Sequence, residues 1–270
     1  MSKSYRSFHN ILKSVGFLLL MLVVSSCYKN RVGCLDILSS NYSIGADDAC
    51  DDCCSFPKML FKINHTFNGE NFSLDREYSN NIGSRFIIRE QQFFFGGLSF
   101  FDENGSKIPI IDSIGLTSVG VLKTFAQDFT TIRATVASAR VGSAKYSGRP
   151  IKMSFNLGLS DQLNTIDSLS STKLESLVRS KENYLNGKYQ SFYFKLNRVG
   201  INQDIVISST LSYPFTFSLT NVEVKAGAPL TFDLKINYAV LFDDISFPTM
   251  TNEEINTRVL ANIQKAITLN

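Results

Sequence analysis

Cysteine, aspartate and histidine are the residues of this 270-residue chain whose types and spacing could do chemistry. Cys34, Cys50, Cys53 and Cys54 share the stretch "GCLDILSSNYSIGADDACDDCC" with Asp36, Asp47, Asp48, Asp51 and Asp52, and no such cluster recurs downstream. Thiols and carboxylates packed this closely suggest three uses: a thiolate metal site, a disulfide knot, or an acidic tether. The fifth cysteine, Cys27, stands apart at the end of "VSSC". Of the two histidines, His9 lies near the start and His65 in the body of the chain.

The compartment decides what these cysteines can be. Lys3, Arg6 and Lys13 make a basic opening without acids, and "VGFLLLMLVV" follows as an apolar core. That core is too short to cross about 30 Å of hydrocarbon, which needs about 20 helical residues, so it reads as an export signal. Small residues ahead of Cys27 form the pattern of a bacterial lipobox, which predicts a signal peptide over residues 1–26 and a lipid on the Cys27 thiol. An ordinary secretory signal is the alternative. Removing the peptide takes three basic residues from 27 and leaves 24 against 24 acidic ones, a formal charge of zero. A neutral chain has no electrostatic reason to bind nucleic acid.

In an oxidising compartment the four remaining thiols read as disulfides. Three pairings are open. A bond between the neighbours Cys53 and Cys54 strains ordinary disulfide geometry. The expectation is therefore Cys34 with Cys50, with Cys53 and Cys54 left open. Zinc is the sharper alternative, but C-x15-C-x2-C-C is a poor tetrahedral frame. The stretch resembles a short module found after the lipid-bearing cysteine of many exported bacterial proteins, through Gly33, Cys34, Asp36, Asn41, Tyr42, Ala46, Asp47, Asp48 and Cys50. That resemblance implies a disulfide-closed acidic loop over residues 27–56. Its aspartates would hold calcium or serve as a solvated spacer, and the EF-hand pattern D-x-D-x-D-G is absent.

Catalysis has little to work with. A nucleophile–histidine triad could use only His65, no G-x-S-x-G occurs, and HExxH is absent. Asp102/Glu103 and Asp243/Asp244 read as solvated turns, so a glycosidase-like carboxylate pair is the remaining catalytic option. The chain is expected not to be an enzyme.

The elements that would position His65 are strands. In "PKMLFKINHTFNG" Phe61, Ile63, His65 and Phe67 alternate with polar residues, so the histidine points inward. "RPIKMSFNLGL" sets Ile151, Met153, Phe155, Leu157 and Leu159 on one face, and "LTFDLKINYAVLF" does so from Leu230 to Phe242. Further strands are predicted in "NFSLDREY", "RFIIREQQFFF", "LSFFD", "TTIRATVA", "YQSFYFKL", "DIVISS" and "PFTFSLT", with a bulge or bend at "FFFGGLSFF". Two helices are predicted: "STKLESLVRSKENYL" in a connection, and "TNEEINTRVLANIQKAI" at the C-terminus. The second opens with a capping-box spacing from Thr251 to Glu254 and carries an Ile255, Val259, Ile263, Ile267 stripe for docking on a sheet. The fold class is all-β: an antiparallel β-sandwich over residues 57–270 with a short helix in a connection and a C-terminal helix.

Within that domain His65, Asn68, Gly69, Tyr78, Asn80, Gly83, Phe86, Phe93, Phe94, Leu98 and Asp102 resemble the N-terminal half of the MbnP-like family of exported copper-binding proteins. "FNLGLSDQLN", "NGKYQSFYFKL" and "LTFDLKINYAVLF" follow in that family's order. The resemblance implies a sandwich fold and a link to copper. It also implies further histidines and tryptophan at the metal, and this chain has no tryptophan and no second histidine past the signal. Only His65 transfers as a copper ligand, with Met59, Met153, carboxylates or tyrosines to complete a reduced site. The functional expectation is a lipid-anchored binding protein of the cell envelope, held in the outer membrane, with "YKNRVG" after Cys27 lacking a surface-export acidic run and so pointing to the periplasmic face. The alternative is an interaction protein that recognises a glycan or another envelope protein through loop tyrosines Tyr184, Tyr189 and Tyr213.

Overall fold

The structure is a computed structural model, and it describes residues 29–50, 52–166 and 183–269. The connection helix predicted at 171–185 lies outside the described residues except for its last three positions. The chain divides into a small unit, up to Ile37 and Asn41–Cys54, and a large one, Leu38–Ser40 and Ser55–Asn270.

The main strands of the large unit, in chain order, are β1 Lys58–Phe67, β2 Arg85–Phe101, β3 Thr130–Arg133, β4 Ser138–Ser143, β5 Lys152–Leu157, β6 Phe192–Arg198, β7 Gln203–Ser209, β8 Tyr213–Ser218, β9 Leu230–Asn237 and β10 Ile267–Leu269. Helices α1 Asp161–Asn164, α2 Tyr238–Leu241 and α3 Asn252–Ala266 complete the frame. One sheet runs β7-β6-β2-β5-β8, with β3 and two short strands also paired to β2. The other runs β4-β1-β9-β10. Phe61 and Phe232 of this second sheet meet Phe155 and Phe100 of the first, with Phe100 stacked on Phe232 at 4.9 Å between ring centres. The predicted all-β sandwich is therefore the observed one. Its pairing is antiparallel in both main sheets except between β1 and β9, which run parallel.

β2 joins two segments predicted as separate strands into one of 17 residues. Its core-facing residues are Phe86 and Ile88, then Phe93 and Phe95, then Leu98 and Phe100. The parity of those numbers changes twice, and the pairing register shifts at the same two places. Arg89 is extra between Glu90 and Ile88 opposite β6, and one of Gly97 and Leu98 is extra opposite Phe155. Each bulge inserts one residue and returns the following side chains to the core. Gly97 has φ +65°, the left-handed backbone that glycine adopts without a Cβ clash. At Gly96 a Cβ would stand 2.9 Å from the Gly158 carbonyl oxygen, so the sheet admits no side chain there.

Several expectations need correction. The alternation from Leu230 to Phe242 is strand only as far as Asn237, whose side-chain oxygen accepts from the Ala239 backbone N–H at 3.1 Å and starts α2. Ile151 is exposed, because β5 begins one residue later. "NFSLDREY" is broken by a turn at Asp75, with φ +60°. The stripe of α3 holds at Ile255, Val259 and Ile263, all fully buried, but Ile267 leaves the helix and pairs with Ile236 in β10. The predicted capping box is present: Thr251 Oγ1 accepts from Glu254 N, and Glu254 Oε2 accepts from Thr251 N at 2.7 Å. α3 packs against edge strand β7 and α2.

Replacing Thr251 with Ala should destabilise the domain by about 1 kcal/mol, and Ile263→Ala by about 2–5 kcal/mol, read from urea midpoints at unchanged slope.

Candidate functional site

His65 sits on β1, where the parallel register with β9 sets it opposite Ile236, two residues before Tyr238. Asn237 turns the chain there, and the fully buried Tyr238 ring lies 5.9 Å from the imidazole, nearly parallel to it. His65 Nδ1 is 2.9 Å from the Tyr238 hydroxyl, and Nε2 is 3.2 Å from the Val136 carbonyl oxygen. A carbonyl can only accept, so Nε2 carries the proton, and the tyrosine hydroxyl donates to Nδ1. Both nitrogens of a neutral ring are thereby used.

A copper ion at His65 would have to displace one of those bonds, and the other candidate ligands are elsewhere. Met59 is six residues back along the same strand, about 20 Å at 3.3 Å per residue. Met153 is buried in the opposite sheet between Phe100 and Phe217. Among the described residues, no group of three or more His, Cys, Asp or Glu side chains comes together as a metal site. The residues present do not fit the copper centre that the resemblance implied. Burial lowers the His65 pKa below its ordinary 6.5, against the opposing pull of the Val136 and Arg133 backbone.

The small unit is a disulfide-closed loop, with a pairing other than the one expected. Cys34 bonds Cys54 and Cys50 bonds Cys53, at Cα separations of 5.0 and 5.6 Å. Cys50 lies beside Gly33, whose carbonyl accepts from the Cys50 N–H at 3.0 Å. Its sulfur is taken three residues later by Cys53, and this reversal delivers Cys54 to the buried Cys34. Asp47 accepts from Arg31 N at 2.9 Å and Asp48 from Asn30 Nδ2 at 3.0 Å, so two of the aspartates proposed for calcium serve the chain's own polar groups.

The adjacent acidic pairs are likewise occupied in turns. Asp102 Oδ1 accepts from the backbone N–H groups of Asn104 and Ser106, and Asp244 accepts from Asn81 Nδ2. Of the three loop tyrosines, one is buried and two are half-buried. Tyr189 is buried, Tyr184 packs on it edge to face with its hydroxyl 3.0 Å from the Gly187 carbonyl, and Tyr213 is half-buried.

The feature that sequence reasoning missed is a hairpin, Ser113–Ser118 and Val121–Ala126, forming a two-stranded sheet of its own. Leu116 faces a second core on the outer side of the large sheet, built from Phe94, Phe129, Leu159, Leu163, Ile166 and Tyr189. Its far end exposes Val119, Val121 and Leu122. A cleft of about 430 Å³ flanks it, lined by Lys123, Thr124, Phe125, Asp161, Gln162 and Thr165. A second, of about 280 Å³, has Leu98, Pro109, Ile110 and Ala126 as its apolar lining, with Lys107 and Asp128 as its charges. Burial raises the Asp128 pKa, and Lys107 partly offsets it. "SIGLTSVGVLKTFA" alternates only weakly, and its turn, Val-Gly, lacks the Asn-Gly or Asp-Gly signature.

No family model matches this chain, and no curated protein matches it. Among solved structures, MbnP from Methylosinus trichosporium aligns over 70% of this chain and 79% of its own, at 11% identity and a TM-score of 0.44. That likeness assigns neither a family nor a metal to this chain.

Two outcomes are expected. A group whose folded pKa is lowered stabilises the fold fully above its unfolded value and loses that contribution as pH falls through the folded one. Stability should therefore fall as pH drops below 6.5, and His65→Gln should flatten that part of the curve relative to wild type, measured by urea unfolding at stepped pH. Peptide mapping of the unreduced protein should find the Cys34–Cys54 and Cys50–Cys53 links and no Cys34–Cys50 link.

Proposed function

We propose that this chain is a lipid-anchored, non-catalytic protein of the bacterial cell envelope, held in the outer membrane through Cys27, that binds another envelope protein through the 113–126 hairpin. The observation that carries this reading is the hairpin's tip. Val119 has φ +50° and is 78% exposed, followed by Gly120 at φ +75°. A β-branched residue in left-handed backbone is strained by about 1–2 kcal/mol relative to glycine or asparagine. The strain leaves an apolar side chain exposed at the turn, three residues before Leu122, itself 74% exposed. Such residues are better suited to a protein partner than to a glycan, which calls for exposed aromatic platforms and polar groups. Copper has no comparable support, because both His65 nitrogens are already hydrogen-bonded.

Val119→Asn should raise the thermal midpoint while weakening partner binding, since it relieves the backbone and removes the contact. A photo-crosslinker at Leu122 should capture one discrete envelope protein in cells, and one at Arg258 on α3 should not. Absence of any adduct from Leu122 would defeat the reading. Titration of the oxidised chain with Cu(I) and Cu(II) should show no stoichiometric binding, and a one-to-one site lost in His65→Ala would restore the copper function.

A further inference from the structure

The small unit is unusual in what it leaves outside. Within 26 residues it exposes five large apolar side chains: Val32 at 67%, Leu35 at 43%, Ile37 at 63%, Tyr42 at 43% and Ile44 at 88%. Four of these flank one backbone contact. Cys34 and Tyr42 are bridge partners, and Ser43 N donates to the Cys34 carbonyl at 2.8 Å, so the Leu35–Ile37 and Tyr42–Ile44 segments leave from adjacent points. Cys34 itself is buried and bonded to Cys54. A unit this small has little interior in which to hide such residues, and the disulfides hold it in shape without a core. Exposed apolar patches of this kind mark a surface that meets something apolar.

We infer that this patch rests in the headgroup region of the membrane that holds Cys27. The inference builds on the lipid-anchor reading above. Val32 stands five positions on from Cys27, a reach of at most about 18 Å at about 3.6 Å per extended residue. An acylated Cys27 therefore keeps the patch within touching distance of lipid at all times. Tyr42 suits that position, since its ring is apolar and its hydroxyl stays wet. Attraction by charge has no part in it: residues 29–54 carry Lys29 and Arg31 against five aspartates, a formal −3. Asp47 and Asp48 are hydrogen-bonded to Arg31 and Asn30, on the backbone that leads to the anchor. The contact is apolar, insensitive to salt screening of attraction, and weakened by anionic lipid at low salt. It fixes how the tether leaves the bilayer, where a lipid on a bare linker would leave it free.

The chain contains no tryptophan, so one introduced indole reports its own surroundings alone. The lipidated protein carrying Ile44→Trp is reconstituted in nanodiscs of phosphatidylethanolamine and phosphatidylglycerol. Its emission should be blue-shifted relative to the same variant made without lipid by Cys27→Ser, and quenched by lipids brominated near the headgroup. Arg258→Trp, on α3, should show neither effect. The intact mass of the same preparation reads acylation of Cys27 independently. An acylated protein whose Ile44→Trp indole stays red-emitting and unquenched overturns the inference and leaves the anchor standing. A blue shift without quenching also overturns it, because protein then covers the patch. If Cys27 carries no lipid, the anchor reading fails, and titrating the unlipidated variant with vesicles of the same composition decides the contact: partition that falls about tenfold on Ile37→Asp upholds it, and no partition sinks it.

Discussion

The sandwich depends on one strand keeping its core face over 17 residues. β2 pairs with β6 over its first half and with β5 over its second, end to end along one edge, and three shorter strands pair along its other edge. An uninterrupted strand of that length would twist steadily, and period two would hold its side chains to a fixed parity. The two bulges break that parity at Arg89 and at Gly97–Leu98. The result is three short core-facing runs, each re-aimed, with Phe94 released to the opposite side to found the second core. Gly96 then lets the Gly158 backbone approach where any side chain would block it. The hairpin that carries the proposed contact surface sits on that second core, so its position follows from the registers of β2.

A second constraint closes the opposite sheet. β9 ends at Asn237, and the chain turns through α2 into Phe242 and Ile245, both fully buried. The turn's carbonyls would be orphaned in that interior without partners. Asn80 donates to the carbonyls of Phe242 and Ile245 while accepting from Ser84 N, and Asn262 donates to those of Leu241 and Asp243. Two buried amides thus satisfy the corner from both sides. The same turn puts Tyr238 against His65, and the histidine's second bond goes to the Val136 carbonyl between β3 and β4. His65 therefore belongs to the hydrogen-bonding of this corner rather than to an open coordination site.

How much of this was legible depends on where the period-two pattern survives. β1, β5 and most of β9 read directly, because Phe61, Ile63, Met153, Phe155, Phe232 and Leu234 alternate without interruption. The Gly96–Gly97 bend was marked by its glycines. The Arg89 bulge carries no such mark. The end of β9 was hidden because Tyr238, Val240 and Phe242 continue the alternation in residue type while the backbone has become helical. Only the cap on Asn237 distinguishes the two, and asparagine is common on a strand's polar face. The inward aim of His65 was readable from β1, but its two partners come from 71 and 173 residues away, and no local spacing encodes them. The cysteine pairing was missed for a related reason: C-x2-C allows a local reversal, and composition cannot say whether the chain takes it.

What the molecule does with its phenylalanines bears on where recognition can occur. Rings from both sheets fill the interior, from Phe61 and Phe232 across to Phe100 and Phe155, and Phe72 stacks on Tyr238 at 4.0 Å. These rings contact one another across the two sheets, as side chains of a close-packed interior do. The hairpin at the periphery, by contrast, holds Val119 exposed in left-handed backbone. Natural turns avoid that strain by placing glycine or asparagine at such a position. On the proposed reading, the strain at Val119 is offset by what its exposed methyl groups meet.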